Sequence, residues 1–177
     1  MIVKNVELNW TSVTQPNAMS GKYTTDFYFT DAKAQDALIA KIEEAWNDHK
    51  GSFKGNPQSL GYSETEDGKI KFKATQAPQS HDGKYTFEVG VFDAKATKLD
   101  KSDIPAIGNG TIANVDFEIY PYTFKNNKGV KLNLKNIQII KLVEYGNSVD
   151  FEEEEGFTSS ASGSMFSDTT APSVEGV

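Results

Sequence analysis

The chain contains no cysteine and no arginine. Without cysteine, disulfides, thiolate zinc centres and cysteine nucleophiles are excluded together, and the reducing cytoplasm is the expected compartment. Without arginine, all 18 basic residues are lysines. The planar fork that reads base edges or carboxylates bidentately is missing, and what remains suits point-charge contact with phosphates. Long apolar runs are lacking too: nowhere do the roughly 18 apolar residues of a spanning helix follow one another. The opening MIVKNVELNW has no basic segment leading into an apolar one, so a secretory leader is not expected. A soluble protein without membrane contact is the reading.

Histidine is scarce, with only His49 and His81. His49 lies near the end of a helical pattern, where a cation suits the dipole, and His81 precedes an Asp-Gly turn; structural or solvent roles fit both. No nucleophile with a base, metal cluster or phosphate loop emerges, so no catalytic residue, metal or cofactor is assigned and an enzyme is not expected. Glu64-Thr65-Glu66-Asp67-Gly68 superficially resembles a calcium loop but lacks its closing bidentate Glu, and reads as a plain turn. Gly108-Asn109-Gly110-Thr111 leads into a strand and lacks the Gly-Lys-Ser/Thr of a phosphate loop.

The formal charge of −7 is unevenly placed. Residues 148–177 hold Asp150, Glu152, Glu153, Glu154, Glu155, Asp168 and Glu175 with no base, so the remainder balances 18 lysines against 18 acids. That last segment is rich in Ser, Thr and Gly and has no period able to bury a face, which predicts a disordered acidic tail at 148–177 after one domain at 1–147.

The body reads mainly as strands. Ile2, Val6 and Leu8 mark an opening strand, and in YTTDFYF (23–29) Tyr23, Thr25, Phe27 and Phe29 share a face. KIKFKAT (69–75) follows Asp67-Gly68 and KYTFEVGVF (84–92) follows Asp82-Gly83, both strand-after-turn signals. TIANVDFEIYPYTF (111–124) and GVKLNLKNIQIIKLVEY (129–145) form a hairpin around Asn126 to Gly129. In its second arm Val130, Leu132 and Leu134 are out of step with Ile137 and Ile139, which predicts a bulge. A helix over 31–51 has Asp31 as N-cap, Gly51 as stop and an apolar stripe of Leu38, Ile39, Ile42, Ala45 and Trp46. Short strands with one packed helix predict a small barrel of the OB-fold kind, mainly β, with a β-sandwich as the alternative.

Binding features stand out more than catalytic ones. Lys69, Lys71 and Lys73 alternate with Ile70 and Phe72, so the pleat sets three ammonium groups on one face, roughly 7 Å apart. They can track phosphates, or equally form a solvated face or a lysine-protected edge. Tyr120, Tyr122 and Phe124 lie opposite Val115, Phe117 and Ile119, with Lys125, Lys128 and Lys131 close behind. If the latter face fills the core, the aromatics point outward, where stacked bases contribute about 1–3 kcal/mol each; the other reading is a second buried cluster. Pro121 cannot donate to a ladder, so this strand lies at an edge or bends there. Trp10 and Tyr23 are further stacking candidates, Tyr23 being preferred to Tyr28 of opposite parity.

The stretch IGNGTIANVDFEIYPYTFKNNKGVKLNLKNIQIIKLVEY (107–145), preceded by VFDAKATKL (91–99) and followed by the acidic tail, resembles bacteriophage single-stranded DNA-binding proteins of the OB-fold type. Its most telling parts are Gly108, Gly110 and Thr111, the Lys128-Gly129 turn and the run Leu134 to Leu142. The resemblance implies a five-stranded barrel that binds single strands without sequence preference in replication, recombination and repair. It also implies a tail that competes with DNA for the basic groove and contacts replication proteins such as a polymerase or helicase, and it leaves a homodimer open. Related tails often end in an aromatic residue. This one ends Glu175-Gly176-Val177, with Phe157 and Phe166 further in. A phage structural or adaptor barrel and a carbohydrate-binding sandwich are the alternatives.

Overall fold

The computed structural model describes residues 1–144. The tail, with Asp150, Glu152 to Glu155, Phe157 and Phe166, falls outside them, and the expectations placed on it are not addressed by the fold.

The elements follow in the order β1 (Ile2–Ser12), β2 (Tyr23–Tyr28), α1 (Ala32–Lys50), β3 (Tyr62–Glu64), β4 (Ile70–Gln76), β5 (Gly90–Phe92), β6 (Thr111–Phe124) and β7 (Asn127–Lys141). β1 pairs antiparallel with β2 and β6, β2 with β4, and β6 with β7. The ring closes where β4 meets β7 in parallel, through Ala74 with Leu132 and Thr75 with Asn133. The circuit β1-β2-β4-β7-β6 is a closed five-stranded barrel, as expected for an OB-fold, and closure excludes the sandwich alternative. β3 extends the sheet beside β4, and β5 lies parallel to β7.

Side-chain parity explains the core. Phe27, Phe72 and Phe117 are fully buried, and the Phe27 ring stacks on Phe72 at 5.3 Å and lies 5.7 Å from Phe117. Val130, Leu132, Leu134, Ile137 and Ile139 are all buried because the ladder shifts between Asp116 and Phe117, where Leu134 and Asn136 face consecutive residues and Lys135 is extra. The predicted bulge is therefore present, and it restores the parity the apolar pattern needs. β1 is longer than expected and bent twice, with Asn5 at φ 53° and Trp10 at φ 50°. The first bend puts Val3 in the core beside Val6 and Leu8 and leaves Ile2, the first residue of the strand, exposed.

The helix matches its sequence signals. The Asp31 carboxylate accepts a hydrogen bond from the Lys33 amide at 3.0 Å, and Gly51 ends the helix at φ 52°, ψ −123°, a backbone conformation that side chains resist. Leu38, Ile42 and Trp46, one turn apart, are the buried positions and join the barrel core. The helix packs on β6 and β7. None of the helices among the described residues is long and apolar enough to cross a membrane.

Two expectations are corrected. The segment 84–89 is not a regular strand: only Gly90–Phe92 pairs with β7, and 81–88 is exposed throughout. It forms a hairpin-like excursion held by a single Gln79–Thr86 bridge, having no second strand long enough to pair with. The β6–β7 turn is also tighter than expected, since Phe124 faces Asn127 and Lys125 takes φ 53°.

Candidate nucleic-acid interface

The barrel carries one outward face on which charge and aromatic surface coincide. Asp26 on β2 faces Lys73 on β4, Lys73 and Lys131 each precede the Ala74–Leu132 pair that joins β4 to β7, and Lys131 faces Tyr120 on β6. Asp26, Lys73, Lys131 and Tyr120 thus form a row across four strands. The Lys131 ammonium lies 4.9 Å from the centre of the Tyr120 ring, a cation–π arrangement. Burial, and then repulsion from Lys22, hold the Lys131 ammonium below its ordinary pKa. The charge of an arriving anion offsets both effects and favours the protonated form.

Lys71 and Lys73 share a face of β4, converging on Asp26, whereas Lys69 lies just before the strand. Lys69 is an exposed neighbour of Asp67, at 3.7 Å. Lys71 and Lys73 each reach one oxygen of Asp26 at 3.8 Å. Sequence reasoning missed Asp26 and Lys22. An acid in the middle of the aromatic strand YTTDFYF was the available signal for the first.

The aromatics divide. Tyr120 is 45% and Phe124 61% exposed, with the Lys125 ammonium 5.5 Å from the Phe124 ring. β1 meets β6 at Ile2 and Asp116, and the Phe117 amide donates to the Met1 carbonyl at 2.9 Å; beyond that point β6 outruns β1, and Pro121 occupies an edge position among the described residues. Tyr122 is half-buried: its ring lies over Gly129, where an added Cβ would stand 2.7 Å from the hydroxyl oxygen, and its hydroxyl reaches Gln58 at 3.4 Å. Lys128 lies over the Phe53 ring at 5.7 Å. His49 Nε2 sits 3.0 Å from both the Tyr122 carbonyl and the Thr123 hydroxyl, in agreement with a structural role.

Tyr23 is only 4% exposed, and its proposed stacking role is corrected. It shares the face of Thr25 and Phe27, which points into the barrel, and Lys101 lies over its ring at 6.0 Å. Trp10 is 67% exposed but stands apart. β1 meets β6 at Leu8–Thr111, so along β6 roughly 30 Å of strand separates its neighbourhood from Tyr120. A bulge presents its indole, and its amide is held by the Asn109 side chain at 2.8 Å. It borders a cleft of about 660 Å³ between the β1–β2 loop and residues 104–109. Tyr85 and Phe87 are two further exposed aromatics, missed because their segment was read only as a strand following the Asp82-Gly83 turn.

A closed OB-type barrel with this basic and aromatic face narrows the candidate families, and the sequence comparison decides among them. The family model described as the single-stranded DNA-binding protein of Enterobacter phage Enc34 matches residues 1–163. The chain belongs to this family of phage single-stranded DNA-binding proteins. A single-stranded DNA-binding protein of Escherichia phage T7 is 31% identical over 101 residues, 52% of this chain. That match spans only 43% of the relative's own length. In fold, this family member resembles the crystal structure of the T7 single-stranded DNA-binding protein at TM-score 0.62 and 22% identity, over 90% of this chain and 99% of the other. It resembles the Enc34 protein in complex with single-stranded DNA at TM-score 0.59 and 15% identity, over 82% and 88% of the two chains.

Proposed function

We propose that this chain binds single-stranded DNA without reading its sequence, coating and protecting it during phage replication, recombination and repair in the host cytoplasm. The observation that carries this reading is the Lys131 ammonium, partly desolvated over Tyr120 and beside Lys22, on the same barrel face as Lys71 and Lys73. Lysines neutralise phosphates and release their counterions, while bases stack on Tyr120 and Phe124. With no guanidinium in the chain, the rigid fork best suited to reading guanine edges is missing, which favours indifference to sequence. Lys69, Lys125 and Lys128 supply outlying charge. Trp10 adds a separate stacking site, and Tyr122 supports the face more than it offers a free ring.

In the same reading the chain divides into a binding domain at 1–147 and an acidic segment at 148–177 that contacts replication proteins such as a polymerase or helicase. Asp150, Glu152 to Glu155, Phe157 and Phe166 are its candidate contacts. Removing 148–177 takes the formal charge from −7 to zero and is expected to tighten binding at low salt, because long-range repulsion of the strand is removed.

The test is a titration with labelled oligothymidine, followed by anisotropy and tryptophan fluorescence at several salt concentrations, with duplex DNA and single-stranded RNA as competitors. Preference for the single strand, with log K falling against log salt by about 0.7 for each phosphate neutralised, supports the proposal. Absence of binding at low salt, by both the full chain and the 1–147 segment, refutes it.

A further inference from the structure

The least expected group on the basic face is an acid. Asp26 sits in the middle of β2 with its side chain only 6% exposed. Its two oxygens each lie 3.8 Å from an ammonium, Oδ2 from Lys71 and Oδ1 from Lys73. That separation is too long for a hydrogen bond, and Oδ1 is buried with no hydrogen-bond partner among the described residues. A carboxylate in this position is costly: it is taken out of water and repaid by charge attraction without hydrogen bonds. A lysine pair needed only for solubility would require no such group.

We propose that Asp26 is a positioning residue and a built-in competitor for phosphate, which holds Lys71 and Lys73 against the sheet and limits the affinity of the face for single-stranded DNA. The inference rests on the binding reading above. The argument is one of charge balance. Asp26 with its two lysines has a net charge of plus one, so the bare strand sees one free positive charge where β4 displays two ammonium groups. When phosphates draw both lysines away, the abandoned carboxylate recruits a cation from solution. One counterion is then taken up while two are released, and the trio contributes one counterion to the salt dependence instead of two. Moderated affinity suits a protein that must be displaced from the strands it covers.

The experiment is the salt-dependent oligothymidine titration on the full chain and on Asp26→Asn. Asp26→Asn is expected to bind more tightly, by about threefold to fiftyfold for a phosphate roughly 7 Å away as the effective dielectric constant runs from about 80 to about 20. Its salt slope should be steeper by about 0.7. An unchanged or shallower slope in a folded Asp26→Asn protein overturns the proposal. The lysines provide a second arm that leaves Asp26 in place. Lys71→Met and Lys73→Met should each make the slope shallower by about 0.7, and the double variant should be no shallower than either single one. Additive losses would mean that each lysine acts independently of Asp26, and would overturn the proposal even if Asp26→Asn failed to fold. Failure of the wild-type chain to bind single strands at all would refute the binding reading together with this inference. Binding with an unchanged Asp26→Asn slope, or with additive lysine effects, would refute the inference alone.

Discussion

Lys131→Met separates binding from folding at one position. The side chain keeps nearly its length and loses its charge. In the free protein that charge is held below its ordinary pKa by burial and by Lys22. A lysine whose folded pKa is depressed opposes folding at pH values below that pKa, and the opposition fades as pH rises through the unfolded value. Removing it therefore favours the fold at neutral pH. Against this stands the loss of the ammonium from the Tyr120 ring at 4.9 Å, worth about 0.5–1 kcal/mol at an exposed site. The two effects oppose, so stability should change by less than about 1 kcal/mol, or a melting shift within about 2–4 °C for a chain of this size. Binding responds differently. One neutralised phosphate on a single strand contributes a salt slope of about 0.7, so Lys131→Met should weaken binding about fourfold at 0.15 M salt and about eightfold at 0.05 M. Anisotropy titrations at four salt concentrations read this directly. A loss of the same factor at every salt concentration would show that Lys131 neutralises no phosphate. A melting temperature lowered by more than about 4 °C would show that it holds the barrel together instead.

Further outcomes follow from neighbouring contacts. Tyr120→Ala and Phe124→Ala should each weaken single-strand binding by about 1–3 kcal/mol in the same titration, whereas Tyr122→Phe should alter it little, because its ring already lies over Gly129. Gly129→Ala should lower stability by about 1–3 kcal/mol in chemical unfolding, since the new Cβ would meet the Ser59 carbonyl oxygen and the Tyr122 hydroxyl, each at 2.7 Å. As pH climbs toward the lowered range of Lys131, binding should take up a proton, because phosphate restores the charged form; calorimetry in buffers of different ionisation enthalpy detects that uptake, and Lys131→Met should reduce it.

The parts of this fold that were legible in the sequence are those in which one local signal decides the outcome. Asp31, Gly51 and the stripe through Leu38, Ile42 and Trp46 specify a helix without reference to the rest of the chain. The mismatch between Leu134 and Ile137 specifies a bulge because a one-residue slip would expose half of β7. The outward turn of Tyr120 and Phe124 follows from the burial of Val115 and Phe117 on the other side of the same strand. Tyr23 was misplaced even though the same rule applied: once Phe27 fills the core, parity carries Tyr23 inward with it. Residues 84–89 alternate like a strand, but a strand also needs a partner, and partners are a property of the whole barrel.

The basic face was harder to read because it is assembled by closure. Lys73 and Lys131 lie far apart in sequence and become neighbours only through the parallel junction of β4 and β7, for which no turn or local pattern gives a signal. Asp26 depends on that assembly even more. In isolation it is an acid interrupting an aromatic strand; on the sheet it faces Lys73 and lies within reach of Lys71. A lysine count taken along the chain therefore overstates the charge available to a phosphate on β4. The strength of this face depends on which lysines are already engaged by Asp26, as well as on how many there are.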